Sequence, residues 1–273
     1  MSHFTNKVAV VTGAGSGIGR ALTLELVRRG AKVAISDVDQ VGLAETKALA
    51  LGLGGDVKAD SLNVAEREAF LGYADDVATH FGKVNMIFNN AGIAFTGDVE
   101  ESEFKDFDRV IDVDFWGVVN GTKAFLPHLV ASGDGHVINV SSIFGIFSMP
   151  SQSAYNAAKF AVRGFTESLR QEMLISKRPV KVTCVHPGGI KTNIARNATA
   201  AEGRDQADLA KSFEKLARTT PEKAANVILR GVEKGKPRVL IGMDAVTLDA
   251  FVRLTGARYQ RVFAALGRRV AKL

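Results

Sequence analysis

Ser142, Tyr155 and Lys159 are the residues whose types and spacing suit proton transfer. Tyr155 and Lys159 are four positions apart, so on a helix they share a face. Ser142 lies thirteen residues earlier, at the end of a short apolar β-branched run, the edge at which open α/β sheets bind ligands. Oxidising an alcohol requires a base for the hydroxyl proton while hydride leaves carbon. A free phenol, with a pKa of about 10, is a poor base at neutral pH, and lowering it by about 3 units takes about 4 kcal/mol of preferential phenolate stabilisation. A neighbouring ammonium in a dry site acts in that direction. Taken alone, a YxxxK pair also reads as an ordinary helix face.

A second group of residues suits a dinucleotide. Residues 12–19 (TGAGSGIG) follow an apolar run and open a helical pattern. Glycines there allow a tight turn and close approach of a pyrophosphate to backbone N–H groups and a helix N-terminus. Asp37 ends the next apolar run, 20 residues after Gly17, near the offset of a ribose-binding acid. A carboxylate accepts hydrogen bonds from a ribose 2′-hydroxyl and repels a 2′-phosphate. Val38, Asp39 and Gln40 follow, with no cation among them, so NAD is expected over NADP. Arg20 is the one feature favouring NADP, and Asp37 as a helix cap is the structural alternative.

Stepping outward to the elements that must hold these groups, apolar runs at 7–12, 32–37, 84–89, 135–141, 180–186 and 238–241 read as strands, with 55–62 a weaker seventh. Helical patterns occupy 17–29, 41–51, 65–81, 103–130, 153–176 and 221–233. Nearly continuous apolar strands separated by helix-length segments indicate an α/β fold: a Rossmann-type, doubly wound, seven-stranded parallel sheet with helices on both faces. Residues 1–245 are expected to form one dinucleotide-binding and catalytic domain. The long polar stretch within 190–220 reads as a substrate lid without a strand.

The glycine spacing is GxxxGxG. The 12–19 block, Asn89-Asn90-Ala91-Gly92, Ser142, Tyr155-Asn156-Ala157-Ala158-Lys159, and Pro187-Gly188-Gly189 with Thr192 resemble the short-chain dehydrogenase/reductase family in order and spacing over about 5–245. The resemblance implies an NAD(P)-dependent oxidoreductase acting on an alcohol or carbonyl compound. It implies that Tyr155 is the acid/base, that Lys159 also holds the nicotinamide ribose, and that Ser142 binds the substrate oxygen. Gly13, Ser16, Gly17, Ile18, Gly19, Asn90, Ala91 and Gly92 are the implied cofactor contacts, and Pro187, Gly188, Ile190 and Thr192 those of the nicotinamide. Asn63-Val64 stands where the family commonly has Asp-Val near the adenine. Asp114 stands where the family has an asparagine that completes a proton relay to the lysine, and Asn120 does not match that position. An ionised Asp114 accepts hydrogen bonds and cannot donate them; it holds the relay water, pairs with Lys159 and keeps it charged, or weakens the relay. Homodimers or homotetramers are common in the family.

Ile143, Phe144, Phe147, Met149 and Phe95 flank these blocks and are expected to rim an apolar substrate pocket, or else to pack the core. A lipophilic secondary alcohol or ketone follows from the first alternative. His3, His80, His128, His136 and His186 lack ligand spacing, so no metal is expected; each reads as a surface or loop residue, with His186 structural beside Pro187. Asp75-Asp76 reads as solvated surface, and Phe115 and Trp116 as packing residues. Cys184 is the single cysteine, a core residue by its neighbours, in keeping with a reducing cytoplasm. The N-terminus does not read as a signal peptide, and no apolar run approaches the roughly 18 residues of a membrane span.

Net charge is +6, and residues 246–273 carry six cations against Asp249. The remainder is nearly neutral, which argues against nucleic acid as a partner. Tyr259, Val262, Phe263, Leu266, Val270 and Leu273 form an apolar stripe, so 246–273 is expected to be a basic amphipathic helix. Packing on its own domain or a sister subunit, docking on a membrane surface, and a mobile arm all remain open for it. A non-catalytic NAD-binding sensor or scaffold of the same fold is the alternative function.

Overall fold

A computed structural model describes residues 2–194, 196–204 and 217–270, with side chains omitted for 266–270. β1 (Val8–Thr12), β2 (Lys32–Asp37), β3 (Val57–Ser61), β4 (Met86–Asn89), β6 (Gly135–Val140), β7 (Val180–Pro187) and β9 (Arg238–Ile241) form one sheet. Its order is β3-β2-β1-β4-β6-β7-β9, and every pairing is parallel. The first three strands run outward one way from β1 and the rest run the other way. The topological switch therefore falls between β1 and β4, where this architecture binds ligands.

Both faces of the sheet are covered, and β1 shows how. Ala9 and Val11 join one core with Leu22 and Leu26 of α1 (Gly17–Arg28) and Ile228 and Leu229 of α7 (Pro221–Glu233). Val8 and Val10 join the other, with Phe70 of α3 (Arg67–Phe81), Phe125 of α5 (Gly117–Ser132) and Leu169 of α6 (Ser153–Ile175). Successive side chains in a strand point to opposite faces, so an unbroken apolar strand requires two apolar layers. α2 (Gln40–Gly52) follows β2 and is capped by Asp39, whose carboxylate accepts from Gly42 N.

The structure departs from the sequence reading in four places. The helix expected at 103–130 is α4 (Phe104–Ile111), a π-helical turn at Asp112–Trp116, then α5. The wide turn changes the helical phase and turns Asp114 fully inward. The 190–220 stretch does contain a strand: β8 (Thr199–Ala200) pairs with β5 (Phe95–Thr96). His136 and His186 are not surface or loop residues but lie buried in β6 and β7. Burial lowers their pKa values, to about 3 for His136 and about 4 for His186. Finally, the tail is not one helix: α8 (Met243–Thr255) and α9 (Tyr259–Val270) are separated at Gly256, whose φ of +52° leaves the helical region. Leu273 lies outside the described residues.

Candidate active site

Every block singled out in the sequence falls at the C-terminal edge of the sheet. The turn between β1 and α1 carries Gly13, Ser16, Gly17, Ile18 and Gly19. Gly13 has φ +66°, and a Cβ there would lie 2.7 Å from Ala91 Cα. A Cβ on Gly19 would strike the Gly13 carbonyl. These contacts make the close approach of the two segments a glycine requirement. Ser16 is the N-cap of α1 yet makes no side-chain cap bond, and no acid occupies the first turn. The first N–H groups of α1 are thus left to an anion, and this cradle fits a dinucleotide pyrophosphate.

Asp37 closes that turn from the end of β2. Its Oδ2 accepts from Gly15 N at 2.7 Å and its Oδ1 from Asp39 N at 3.0 Å. The α2 cap is Asp39, so Asp37 is not the helix cap. Arg20 bridges the same turn to α2: its guanidinium donates to Gly15 O (2.5 Å), Thr46 Oγ1 (2.9 Å) and Glu45 Oε2 (2.8 Å).

After β4, Asn90 Nδ2 donates to Thr12 O (2.9 Å), while the N–H groups of Asn90 and Ala91 both donate to Thr12 Oγ1 (3.0 Å each). Asn89 crosses to Asn139 and Thr122. The Asn-Asn-Ala-Gly block therefore splices the glycine turn to the sheet centre. Asn63 is exposed, and its Oδ1 accepts from Ala65 N within its own loop. Val64 is buried, and its carbonyl accepts from Asn120 Nδ2 at 3.0 Å. Asn120, which fits no motif, thus positions the loop of a predicted cofactor contact.

Pro187 ends β7, and Gly188, Ile190 and Thr192 follow. A Cβ on Gly17 would sit 3.1 Å from Thr192 Cγ2, so Thr192 closes over the first turn. Asp244, in the first turn of α8, holds the Pro187-Gly188-Gly189 corner by accepting from Gly189 N at 2.7 Å. Nothing in the sequence signals that contact. The ends of the segment that follows meet at the Ile190–Thr219 bridge, and Arg204 ties it to Asp98 (2.9 Å) and Glu101 (2.7 Å). Residues 195 and 205–216 of that segment lie outside the described residues.

Tyr155, Lys159 and Asp114 form a third group. Tyr155 and Lys159 lie on one face of α6, with Nζ 5.4 Å from the phenol ring centre. Lys159 and Asp114 are both buried, and Nζ lies 3.0 Å from Asp114 Oδ2. Asp114 Oδ1 accepts from Ile93 N at 2.7 Å. Asp114 is thus paired with the lysine. Burial raises the Asp114 pKa more than the ammonium and the Ile93 N–H lower it. Burial pushes Lys159 down, but the Asp114 carboxylate and Tyr155 more than offset it, and the lysine stays above its ordinary value.

Tyr155 departs from the simplest expectation. Burial raises its pKa, Lys159 lowers it, Asp114 raises it again and a Ser142 hydrogen bond lowers it; the net direction is up. Within the protein's own groups the phenol is held protonated. Ser142 is itself fixed: its Oγ accepts from Phe144 N at 3.1 Å, and its carbonyl accepts from His186 Nδ1 at 2.9 Å.

A buried phenol beside an ammonium and a hydroxyl, facing a dinucleotide cradle at a sheet switch point, is the arrangement of one enzyme family. Residues 7–203 match the family model described as short chain dehydrogenase. The chain belongs to that family. It is 63% identical over 266 residues to the protein named "Putative oxidoreductase SadH" of Mycobacterium tuberculosis, covering 97% of this chain and 96% of that one. It is 28% identical to human estradiol 17-beta-dehydrogenase 11 over 259 residues, covering 94% of this chain and 82% of the other. Among solved structures it resembles a short chain dehydrogenase/reductase from Burkholderia phymatum in complex with NAD, with a TM-score of 0.87 and 28% identity over 95% of this chain and 96% of that one. The chain is therefore an oxidoreductase of the short-chain type with a nicotinamide cofactor.

The apolar residues expected at the substrate pocket divide. Phe144 packs edge-on against Tyr155, with ring centres 6.1 Å apart, and Phe95 is buried with Tyr155 and Ala158. Ile143 and Phe147 instead pack against the C-terminal helices. Met149 borders a groove of about 750 Å³ with Ala157, Phe160 and Phe263. Ala157 and Phe160 are turned well away from Tyr155 around α6, so this groove is not the catalytic cleft. Among the described residues no cluster of His, Cys, Asp and Glu could hold a metal ion, and no helix is long and apolar enough to cross a membrane.

Proposed function

We propose that the protein transfers hydride between NAD and the carbinol or carbonyl carbon of a lipophilic secondary alcohol or ketone. The observation that carries this reading is the buried Tyr155–Lys159–Asp114 cluster with Ser142 beside the phenol. When bound, the nicotinamide supplies or accepts the hydride. Ser142 Oγ hydrogen-bonds the substrate oxygen and stabilises its developing charge. Tyr155 gives its proton to that oxygen in reduction and takes it back in oxidation. Lys159 stabilises the phenolate electrostatically and holds the nicotinamide ribose. Asp114 keeps that lysine charged and in place.

The preference for NAD is supported by Asp37, whose carboxylate is oriented by two backbone N–H groups beside the glycine turn. The ties on Arg20 support it too, since Gly15 O, Thr46 and Glu45 already engage that guanidinium. The lipophilic substrate rests on Phe144 and Phe95 beside the phenol, and residues 190–220 serve as its lid. A homo-oligomer is supported by exposed Phe104, Trp116 and Phe160 along α4 to α6. The cytoplasmic location rests on the lone, buried Cys184, whose thiol burial pushes up to about 12.

The test is a panel of ketones and secondary alcohols assayed with NAD(H) and NADP(H) by nicotinamide absorbance, run beside Tyr155→Phe. General acid–base catalysis contributes roughly 10²- to 10⁴-fold, so the variant should lose that much turnover while binding NADH with wild-type affinity. Unchanged turnover would remove Tyr155 from the mechanism. A wild-type protein that binds NADH and turns over none of the panel would favour the sensor reading.

A further inference from the structure

The two C-terminal helices present an outer surface that the fold itself does not use. On α8 the inward positions Ala245, Leu248, Phe251 and Val252 pack against Ile143, Phe147 and Tyr259. α9 turns Tyr259 and Phe263 to the same cluster, and Tyr259 Oη accepts from Ser148 N at 3.0 Å. The inward half of the apolar pattern is thus consumed by the chain's own domain.

The outward half is also apolar. Met243, Val246, Ala250 and Leu254 recur at helical spacing along one side of α8, with Met243 75% and Leu254 88% exposed. Val262 continues the surface on α9. Arg258 and Arg261 are exposed beyond it, Arg253 pairs with Asp249 at 2.9 Å, and residues 243–273 carry six cations against Asp244 and Asp249 in a chain of net charge +6. An exposed apolar ridge bordered by arginines matches a helix lying in a lipid interface, apolar side down and cations at the headgroups. The charge excess selects anionic lipid. The surface starts beside the site, because Asp244 in the first turn of α8 binds Gly189 N.

We infer that the outer face of α8 and α9 is a docking surface for an anionic lipid bilayer, bound peripherally. This does not rest on the reaction proposed above.

The experiment is co-sedimentation of the full-length protein with phosphatidylcholine vesicles and with vesicles containing 30% phosphatidylglycerol. The protein should pellet with the anionic vesicles, remain in solution with the neutral ones, and be released by 0.5 M NaCl. An arginine near an anionic surface contributes about 1 kcal/mol, or about five-fold in partition, so Arg258→Gln with Arg261→Gln should weaken binding by about 30-fold. Val246→Glu with Leu254→Glu should weaken it by at least roughly ten-fold, the solvent-side positions leaving the melting temperature unchanged. Equal partition to both vesicle types, or partition that neither double variant alters, overturns the inference. So does a lipid-free sedimentation mass that drops on Val246→Glu with Leu254→Glu, because a second copy of the chain would then cover the face.

Discussion

Replacing Asp114 by asparagine removes one buried negative charge with almost no change of shape. The carboxylate oxygen is 3.0 Å from Lys159 Nζ, which is 5.4 Å from the Tyr155 ring centre, so the carboxylate lies no more than about 8 Å from the ring. At an effective dielectric of about 20, a unit charge at that distance is worth about 2 kcal/mol, or roughly 1.5 pH units on the phenol. Asp114 raises the Tyr155 pKa, so its removal lowers it. Oxidation needs the phenolate, and its rising limb in kcat/KM should move about 1.5 pH units towards acid, with up to roughly 30-fold more oxidation on the acid side of the wild-type limb. Reduction needs the phenol, so its falling limb should move down by the same amount. The assay is kcat/KM against pH in both directions, by nicotinamide absorbance, with thermal melts to confirm folding. Limbs that coincide with wild type, or that move towards alkali, refute the electrostatic coupling of Asp114 to Tyr155.

Asp37→Ser removes the carboxylate expected to repel a 2′-phosphate. A unit charge at about 4 Å is worth roughly 1 to 4 kcal/mol at the protein surface, so the NADP/NAD ratio of kcat/KM should rise by at least roughly five-fold. An unchanged ratio would take Asp37 out of cofactor choice. His136 and His186 stay neutral in the folded protein down to about pH 3 and 4, whereas the unfolded chain protonates them below its ordinary value of 6.5. The stability they confer is therefore complete above 6.5 and is lost as pH falls towards 4. His136→Gln should flatten that loss by about 1.4 kcal/mol per pH unit in denaturant titrations, and an identical slope would contradict the burial argument. Tyr259→Phe removes the acceptor of the Ser148 N–H, on an exposed residue, and should cost about 0.5 to 1.5 kcal/mol of stability in the same titrations.

The features legible in the sequence are the ones that local rules determine. Alternation of apolar strands with helical periods gives the parallel sheet, and a fixed four-residue offset places Tyr155 over Lys159. The glycine turn is legible because each glycine answers a contact made within one strand–turn–helix unit or its immediate neighbour. What stayed hidden depends on how distant segments meet. β5 and β8 are two residues each and pair across about a hundred positions of chain, too short to leave a periodic signal. Asp244 reaches Gly189 only because α8 begins where β9 ends, next to β7. His136 and His186 are polar letters in strands that bury both faces, and Thr183 and the Ser142 carbonyl provide their partners.

Asp114 is the instructive case. Its charge and its departure from the family asparagine are visible in the sequence, but whether its carboxylate reaches Lys159 depends on helical phase. At 3.6 residues per turn a regular helix advances about 100° per residue, so the wide turn at Asp112–Trp116 reorients every side chain on one side of it relative to the other. That single irregularity brings the carboxylate to the lysine, and it lies at the place where a π-turn would be expected to serve function rather than packing.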